Sequence, residues 1–191
     1  IFPNGSFPVS PDGFDNIVTN NTTIGSLSYL NTSGTRTTQL NDGATLTVNG
    51  PFSVGVASST TVVTMSGGGN FTVNNISGTA SIGGSGGSTE TVTLNLADGA
   101  NTFNVKTLSL GESASNNGRT CNLNLGNGAT IINADAIQFG TGKASGLLQW
   151  GNATTNGSLT IRDHTGSGRA TMLLGNGTSG SGSSKGTITG T

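Results

Sequence analysis

The sequence predicts an all-β chain wound as a right-handed parallel β-helix, a β-solenoid of about seven coils of 24–29 residues behind an irregular N-terminal arm or cap. Three observations carry this expectation. Helical periodicity is absent, short alternating apolar–polar runs are abundant, and one apolar pattern returns at a nearly constant interval.

Composition narrows the choice first. Of 191 residues only 8% are charged, against roughly 25% in ordinary globular proteins. There are 33 glycines but one Trp, one Tyr and one His, and the net charge is −1. Low charge with few aromatics is compatible with disorder, but disordered chains lack periodic apolar residues, and these recur throughout. The prior therefore moves to a repetitive β fold with neutral, hydroxylated faces. The cations stand singly, at Arg36, Lys106, Arg119, Lys143, Arg162, Arg169 and Lys185. Duplex binding needs clustered cations on several phosphates, so nucleic acid is not an expected partner. No apolar stretch approaches the roughly 20 residues of a membrane-spanning helix. The chain begins without Met or a basic-then-apolar leader and is expected to be a mature, processed or excised segment. A lone cysteine, Cys121, leaves stability to packing and backbone ladders.

Residues 1–25 are expected to form the arm. Pro3, Pro8 and Pro11 fall here with Phe2, Phe7 and Phe14, and proline cannot donate to a central ladder. This segment either caps the chain or is a strand given to a neighbour, with Ile1, Phe2, Phe7 and Phe14 as the contact residues. Residues 26–191 are expected to be the repeat domain. Its strands read as Thr45-Leu46-Thr47-Val48, Phe71-Thr72-Val73, Val92-Thr93-Leu94-Asn95-Leu96, Cys121-Asn122-Leu123-Asn124-Leu125 and Ser158-Leu159-Thr160-Ile161. Each is bounded by Gly, Asn, Asp or Ser turns.

The repeat is decisive. Leu94-Asn95-Leu96-Ala97-Asp98-Gly99 returns about 29 residues later as Leu123-Asn124-Leu125-Gly126-Asn127-Gly128. The register persists, with Phe103 on Ile132, Leu108 on Ile137 and Leu110 on Phe139. Two further copies are read at Leu148-Gln149-Trp150-Gly151 and at Met172-Leu173-Leu174-Gly175. The expected core stack is Leu94, Leu96, Leu123, Leu125, Trp150, Met172 and Leu174, with glycine and asparagine at corners of positive φ. Asn95, Asn122 and Asn124 stack outward as amide ladders or fill corners. Coils at about 4.8 Å each give a rod of roughly 35 Å. Residues 175–186, linker-like by composition, are read as solenoid turns that lead into the strand-like Thr187-Ile188-Thr189.

These repeats resemble the autotransporter-associated β-strand repeats of large bacterial surface proteins. The likeness rests on Leu123-Asn124-Leu125-Gly126-Asn127-Gly128, the spacing of Gly146 to Gly151, and Ser158-Leu159-Thr160-Ile161-Arg162 ahead of Gly168-Arg169-Ala170. It covers about residues 40–191. The resemblance implies a parallel β-helical, exported passenger with a surface or matrix role.

Candidate chemistry is sparse. His164 lies beside Asp163, but neighbouring strand residues point to opposite faces, so the two do not readily pair and His164 is expected in a turn. Asp42 and Asp98 each precede glycine in a turn, and the remaining carboxylates are scattered. Polysaccharide cleavage needs paired acid–base groups on one face. Gly83-Gly84-Ser85-Gly86-Gly87 lacks the aspartate of a calcium-binding roll. Cys121, alternating with Leu123 and Leu125, is expected to be a buried small hydrophobe. The chain is therefore expected not to be an enzyme and to need no metal or cofactor. Thr-x-Thr pairs at Thr45/Thr47, Thr91/Thr93 and Thr187/Thr189 are similar to ice-binding ladders, though their intervals are uneven. Sequons at Asn4, Asn20, Asn21, Asn31, Asn70, Asn75, Asn152, Asn156 and Asn176 are candidate glycosylation sites.

The leading expectation is a structural extracellular or cell-surface subunit of a head-to-tail filament whose partner is the chain itself. An adhesin or carbohydrate-binding surface module is the alternative. An ice-binding or polysaccharide-active β-helix protein is more distant.

Overall fold

The computed structural model describes residues 15–30, 33–55, 60–83, 91–113, 119–151, 157–176 and 184–189. In chain order the first strands are β1 (Asn16–Val18), β2 (Thr22–Ile24), β3 (Leu27–Tyr29), β4 (Ser33–Leu40), β5 (Thr45–Val48), β6 (Phe52–Val54), β7 (Thr60–Ser66) and β8 (Asn70–Ile82). They continue as β9 (Thr91–Asn95), β10 (Asn101–Ser113), β11 (Thr120–Leu125), β12 (Ala129–Gly142), β13 (Ser145–Trp150), β14 (Ser158–Arg162), β15 (Thr171–Asn176) and β16 (Lys185–Thr189). No helix occurs among the described residues, and every strand pairing is parallel. The fold is a parallel β-solenoid.

Three faces wrap the core. Face one is the seven-stranded sheet β1-β4-β7-β9-β11-β13-β16. The nine-stranded sheet supplies the other two, because β8, β10 and β12 run 13, 13 and 14 residues and continue around a corner. Face two stacks β2, β5, β14 and the first halves of those long strands. Face three stacks β3, β6, β15 and their second halves. In the earlier coils the corner is cut between β5 and β6 at Gly50-Pro51. A side chain on Gly50 would run into the Gly25 carbonyl of the coil below. About four coils, those built on β5 with β6, β8, β10 and β12, have neighbours on both sides, and the expected seven is reached only by counting partial rungs at the ends.

Alternation decides what is buried. Along β9 and β11 the side chains of Val92, Leu94, Cys121, Leu123 and Leu125 point inward and are buried, while those between them face out. Stacking then aligns like with like. Val63, Leu94, Leu123, Leu148 and Ile188 form one inward column on face one. Phe103 pairs Ile132, Leu108 pairs Ile137 and Leu110 pairs Phe139, as the 29-residue step predicts. Phe52, Phe71 and Phe103 meet where the inner faces converge, with ring centroids 5.3 Å and 6.0 Å apart in edge-on contacts. At the N-terminal end the buried Tyr29 hydroxyl shares a 2.7 Å hydrogen bond with Thr38, and burial pushes the phenol pKa up to about 12.

The corner between faces three and one is a column of glycines. Gly55, Gly83, Gly111, Gly140 and Gly175 have φ of 81, 76, 80, 64 and 69°. Each follows the last inward residue of face three in its coil, and those residues (Val54, Ile82, Leu110, Phe139, Leu174) pair in that order. A left-handed backbone at this repeated bend favours glycine at every level.

Several expectations need correction. Residues 16–24 belong to the solenoid rather than to a separate arm, since β1 pairs β4 and β2 pairs β5. Of the expected core stack, Leu94, Leu96, Leu123 and Leu125 are buried. Trp150 takes the inward position above Leu125 but is only half-buried. Met172 and Leu174 stack on Ile137 and Phe139 of face three, not on the Leu148 column, and are 36% and 54% exposed. An apolar–polar–apolar–Gly signature closes face three as well as face one, so the fourth copy belongs to a different face. The exposure arises because no further described strand lies above β15. The arm residues Ile1, Phe2, Phe7 and Phe14 lie outside the described residues.

The core makes a quantitative contrast. Phe103→Ala, at the aromatic convergence, is expected to cost about 3–5 kcal/mol. Met172→Ala, on the open top coil, should cost about 1 kcal/mol or less. Denaturant melts followed by circular dichroism check both, and equal losses would mean that the top coil is buried.

Candidate functional site

The outward columns carry the chain's polar chemistry. On face two, Asn49, Asn74, Asn104 and Asn133 stand one above another. Asn74 Nδ2 donates to Asn49 Oδ1 at 3.3 Å, Asn104 to Asn74 at 2.7 Å, and Asn133 to Asn104 at 2.8 Å. Face one has a second ladder. Asn95 donates to Thr64 Oγ1 at 3.0 Å, Asn124 to Asn95 Oδ1 at 2.7 Å, and Gln149 Nε2 to Asn124 Oδ1 at 3.0 Å. Asn122 likewise donates to Thr93 at 3.1 Å. Asn95, Asn122 and Asn124 thus resolve to ladder positions rather than corners. Asn95 and Asn124 each keep a second N–H and a second lone pair, whereas Asn122 Oδ1 and Asn133 Oδ1 are buried without a hydrogen-bond partner.

A cavity of about 400 Å³ opens where face one bends towards face two. Thr64, Asn95 and Asn124 form one wall, and Asp98 and Asn127 project from the turns as the other. Gly126 and Gly151 lie between them with the edges of Leu96 and Leu125. Asp98 Oδ1 accepts the Asn127 N–H at 2.9 Å, as Asp42 Oδ1 accepts that of Gly68 at 3.1 Å. Both aspartates therefore tie their turn to the turn of the next coil. Gly126 sits so close to the Ala97 carbonyl of the adjacent coil that a Cβ there would collide with it.

The threonine pairs distribute unexpectedly. Thr91 and Thr93 lie on face one, whereas Thr45 and Thr47 lie on face two. A more regular column emerges on face two. Thr23, Thr47, Thr72, Thr102, Ile131 and Thr160 occupy one outward position in six successive rungs. The intervals are uneven in sequence because the turns differ in length, while the strand register is kept.

His164 finds its partner in the adjacent coil. Its Nδ1 pairs with Asp135 Oδ1, and its backbone N–H lies 3.4 Å from the same oxygen. Asp135 precedes His164 by 29 residues, so the repeat interval held the signal that side-by-side reading of Asp163 and His164 missed. Asp163 instead organises its own loop, accepting from Thr165 Oγ1 at 2.8 Å and from the N–H groups of Ser167 and Gly168 at 3.2 and 3.0 Å. The hydrogen bond from His164 holds the Asp135 carboxyl below its ordinary pKa, and the Gly168 N–H, with Thr165 next, does the same for Asp163. Cys121 is buried, and burial raises its thiol pKa to about 12, against the opposing pull of Arg119. Among the described residues no three His, Cys, Asp or Glu side chains gather to hold a metal ion, and no helix could cross a membrane.

The sequons differ in accessibility. Asn20 and Asn21 are exposed, and Asn75 is half-buried. Asn70 is engaged at both ends of its amide, donating to Thr45 Oγ1 and accepting the Ala100 N–H. Asn176 lies in β15. Asn4, Asn31, Asn152 and Asn156 fall outside the described residues.

A pH titration tests the loop chemistry. Both carboxyls have folded pKa values below the ordinary 3.8, so their stabilisation is complete above that value and is lost as pH falls through the lower folded values. Carboxyl-carbon NMR should show both depressions. His164→Ala should return Asp135 towards 3.8 while Asp163 stays low, because its strongest donor is backbone. No protein-family model, curated protein or solved structure matches the chain.

Proposed function

We propose that the chain is a non-catalytic structural rod of the cell surface or extracellular space, whose copies stack end to end as a filament or surface fibre. The observation that carries this reading is that no described strand covers the last members of the inward columns. Met172, Leu174 and Ile188 continue the stacks of Ile137, Phe139 and Leu148 yet are 36%, 54% and 42% exposed. Strands that end a stack also present unpaired N–H and C=O groups, which accept another strand. A second copy supplying its first coil covers both, in a heterologous contact that propagates. The neutral faces and the resemblance to autotransporter-associated repeats support export and a surface role. The Asp135–His164 pair is solvent-exposed and joins adjacent coils, which fits a loop tie better than acid–base catalysis.

A second reading attaches to the threonine column on face two. Stiff β-branched side chains at about 4.8 Å spacing place methyls and hydroxyls near the oxygen repeat of hexagonal ice. Ice crystals grown in the protein should be faceted if this face orders water, and Thr72→Tyr should abolish the faceting; unshaped crystals reject it.

Filament assembly has its own test. Light scattering and negative-stain microscopy of the purified chain should show concentration-dependent rods. Leu174→Glu with Ile188→Glu should leave short, monodisperse particles that keep their β spectrum. Monodisperse unmodified protein at all concentrations would overturn the filament.

A further inference from the structure

We propose that the groove between Asn95/Asn124 and Asp98/Asn127 binds a linear, uncharged polysaccharide lying parallel to the coil axis. The groove follows the stacking direction, because each wall is made of residues from successive coils. Its volume of about 400 Å³ lies within the range of roughly 300–1,000 Å³ typical of small-ligand sites, enough for a short stretch of sugar chain.

The chemistry of the walls points to hydroxyl groups. On the ladder side, Asn95 and Asn124 have one N–H and one oxygen lone pair tied up in the ladder, and the others remain free. These free groups repeat at the coil spacing of about 4.8 Å, close to the length of one sugar residue in an extended chain. Ladder bonding also fixes the amides in orientation, so little rotamer entropy is lost when a ligand binds. On the turn side, Asp98 Oδ1 is held by the Asn127 N–H. Oδ2 can accept from a sugar hydroxyl in a charge-assisted hydrogen bond. Gly126 and Gly151 present bare backbone between the walls, above the buried Leu96 and Leu125.

Charge selects among polymers. Among the described residues the only charged group in the lining is the Asp98 carboxylate, and no described Lys or Arg lines the groove. Uronates, sulfated glycans and nucleic acids would bring like charge against it, with no cation to offset the repulsion. A peptide would need an open strand edge or an apolar trough, and both strands beneath the groove, β9 and β11, are paired on each side. A neutral glycan meets none of these penalties. This assignment stands whether or not the chain forms filaments.

Trp150, the only tryptophan, adjoins the groove-lining Gly151 and reports occupancy by fluorescence. The full chain is titrated with glucomannan, xyloglucan and galactan as neutral probes, and with polygalacturonate and alginate as anionic ones. Affinity electrophoresis and Trp150 emission are the readouts. Retardation and an emission change with at least one neutral probe, and neither with the anionic pair, are expected. Asn124→Ala should abolish retardation. Asp98→Asn, which keeps an acceptor for the Asn127 N–H, should admit the anionic probes with the melting curve unchanged. Should Asn124→Ala disturb the fold, Thr64→Trp, which fills one end of the groove from an outward position, provides the same loss. Indifference to every neutral probe, a preference for the anionic ones, or binding unaffected by both Asp98→Asn and Thr64→Trp would overturn the proposal.

Discussion

Register between coils is the constraint on which everything else in this molecule rests. In a parallel stack a shift of one residue exchanges the inward and outward sets of a strand. Here the shift would take Leu94 off Leu123 and at the same time take Asn95 off Asn124. Burial and amide bonding therefore penalise the same error. The glycine column adds a third lock, since its positive φ values fall one residue beyond the inward column of face three in each of five coils. Stability in such an array is a sum over neighbours, and no coil is a folding unit by itself.

The polar interior follows from the same geometry. Asn101 takes an inward position between Phe71 and Thr130, where the chain leaves a turn. Its Nδ2 reaches the Ala97 and Gly99 carbonyls, each at 2.9 Å, and so serves turn oxygens that the sheet cannot reach. Thr38 plays a comparable part near the first coil by sharing a hydrogen bond with the Tyr29 hydroxyl. Asn101 begins its strand and stacks on Phe71 and Thr130, while Thr38 lies within the β4 ladder between Asn16 and Met65. Buried polar side chains are few, and although Ser109 and Thr38 lie within strands, most of the core is hydrocarbon.

Much of this was legible because the 29-residue step is constant from β9 and β10 into β11 and β12. Leu94 on Leu123 and Phe103 on Ile132 could be read directly from the sequence. Reading became less secure after Trp150. The apolar run closed by glycine at Met172-Leu173-Leu174-Gly175 matches the ends of strands on two faces. The His164–Asp135 tie obeyed the same step but was hidden by the attraction of neighbours in sequence. The groove had no sequence signature, because its shape depends on how far the Asp98 and Asn127 turns stand away from the ladder. Side-chain type alone does not give that distance.

The direction of the backbone hydrogen bonds carries a mechanical consequence. In every sheet they run from coil to coil, along the axis of the rod. Tension spread evenly over a cross-section would load a whole rung of bonds together. A pull on one chain end would load them singly, starting at the outermost strand. The molecule should therefore behave as a stiff element under distributed strain and as a zipper under point traction, peeling coil by coil from whichever end is held.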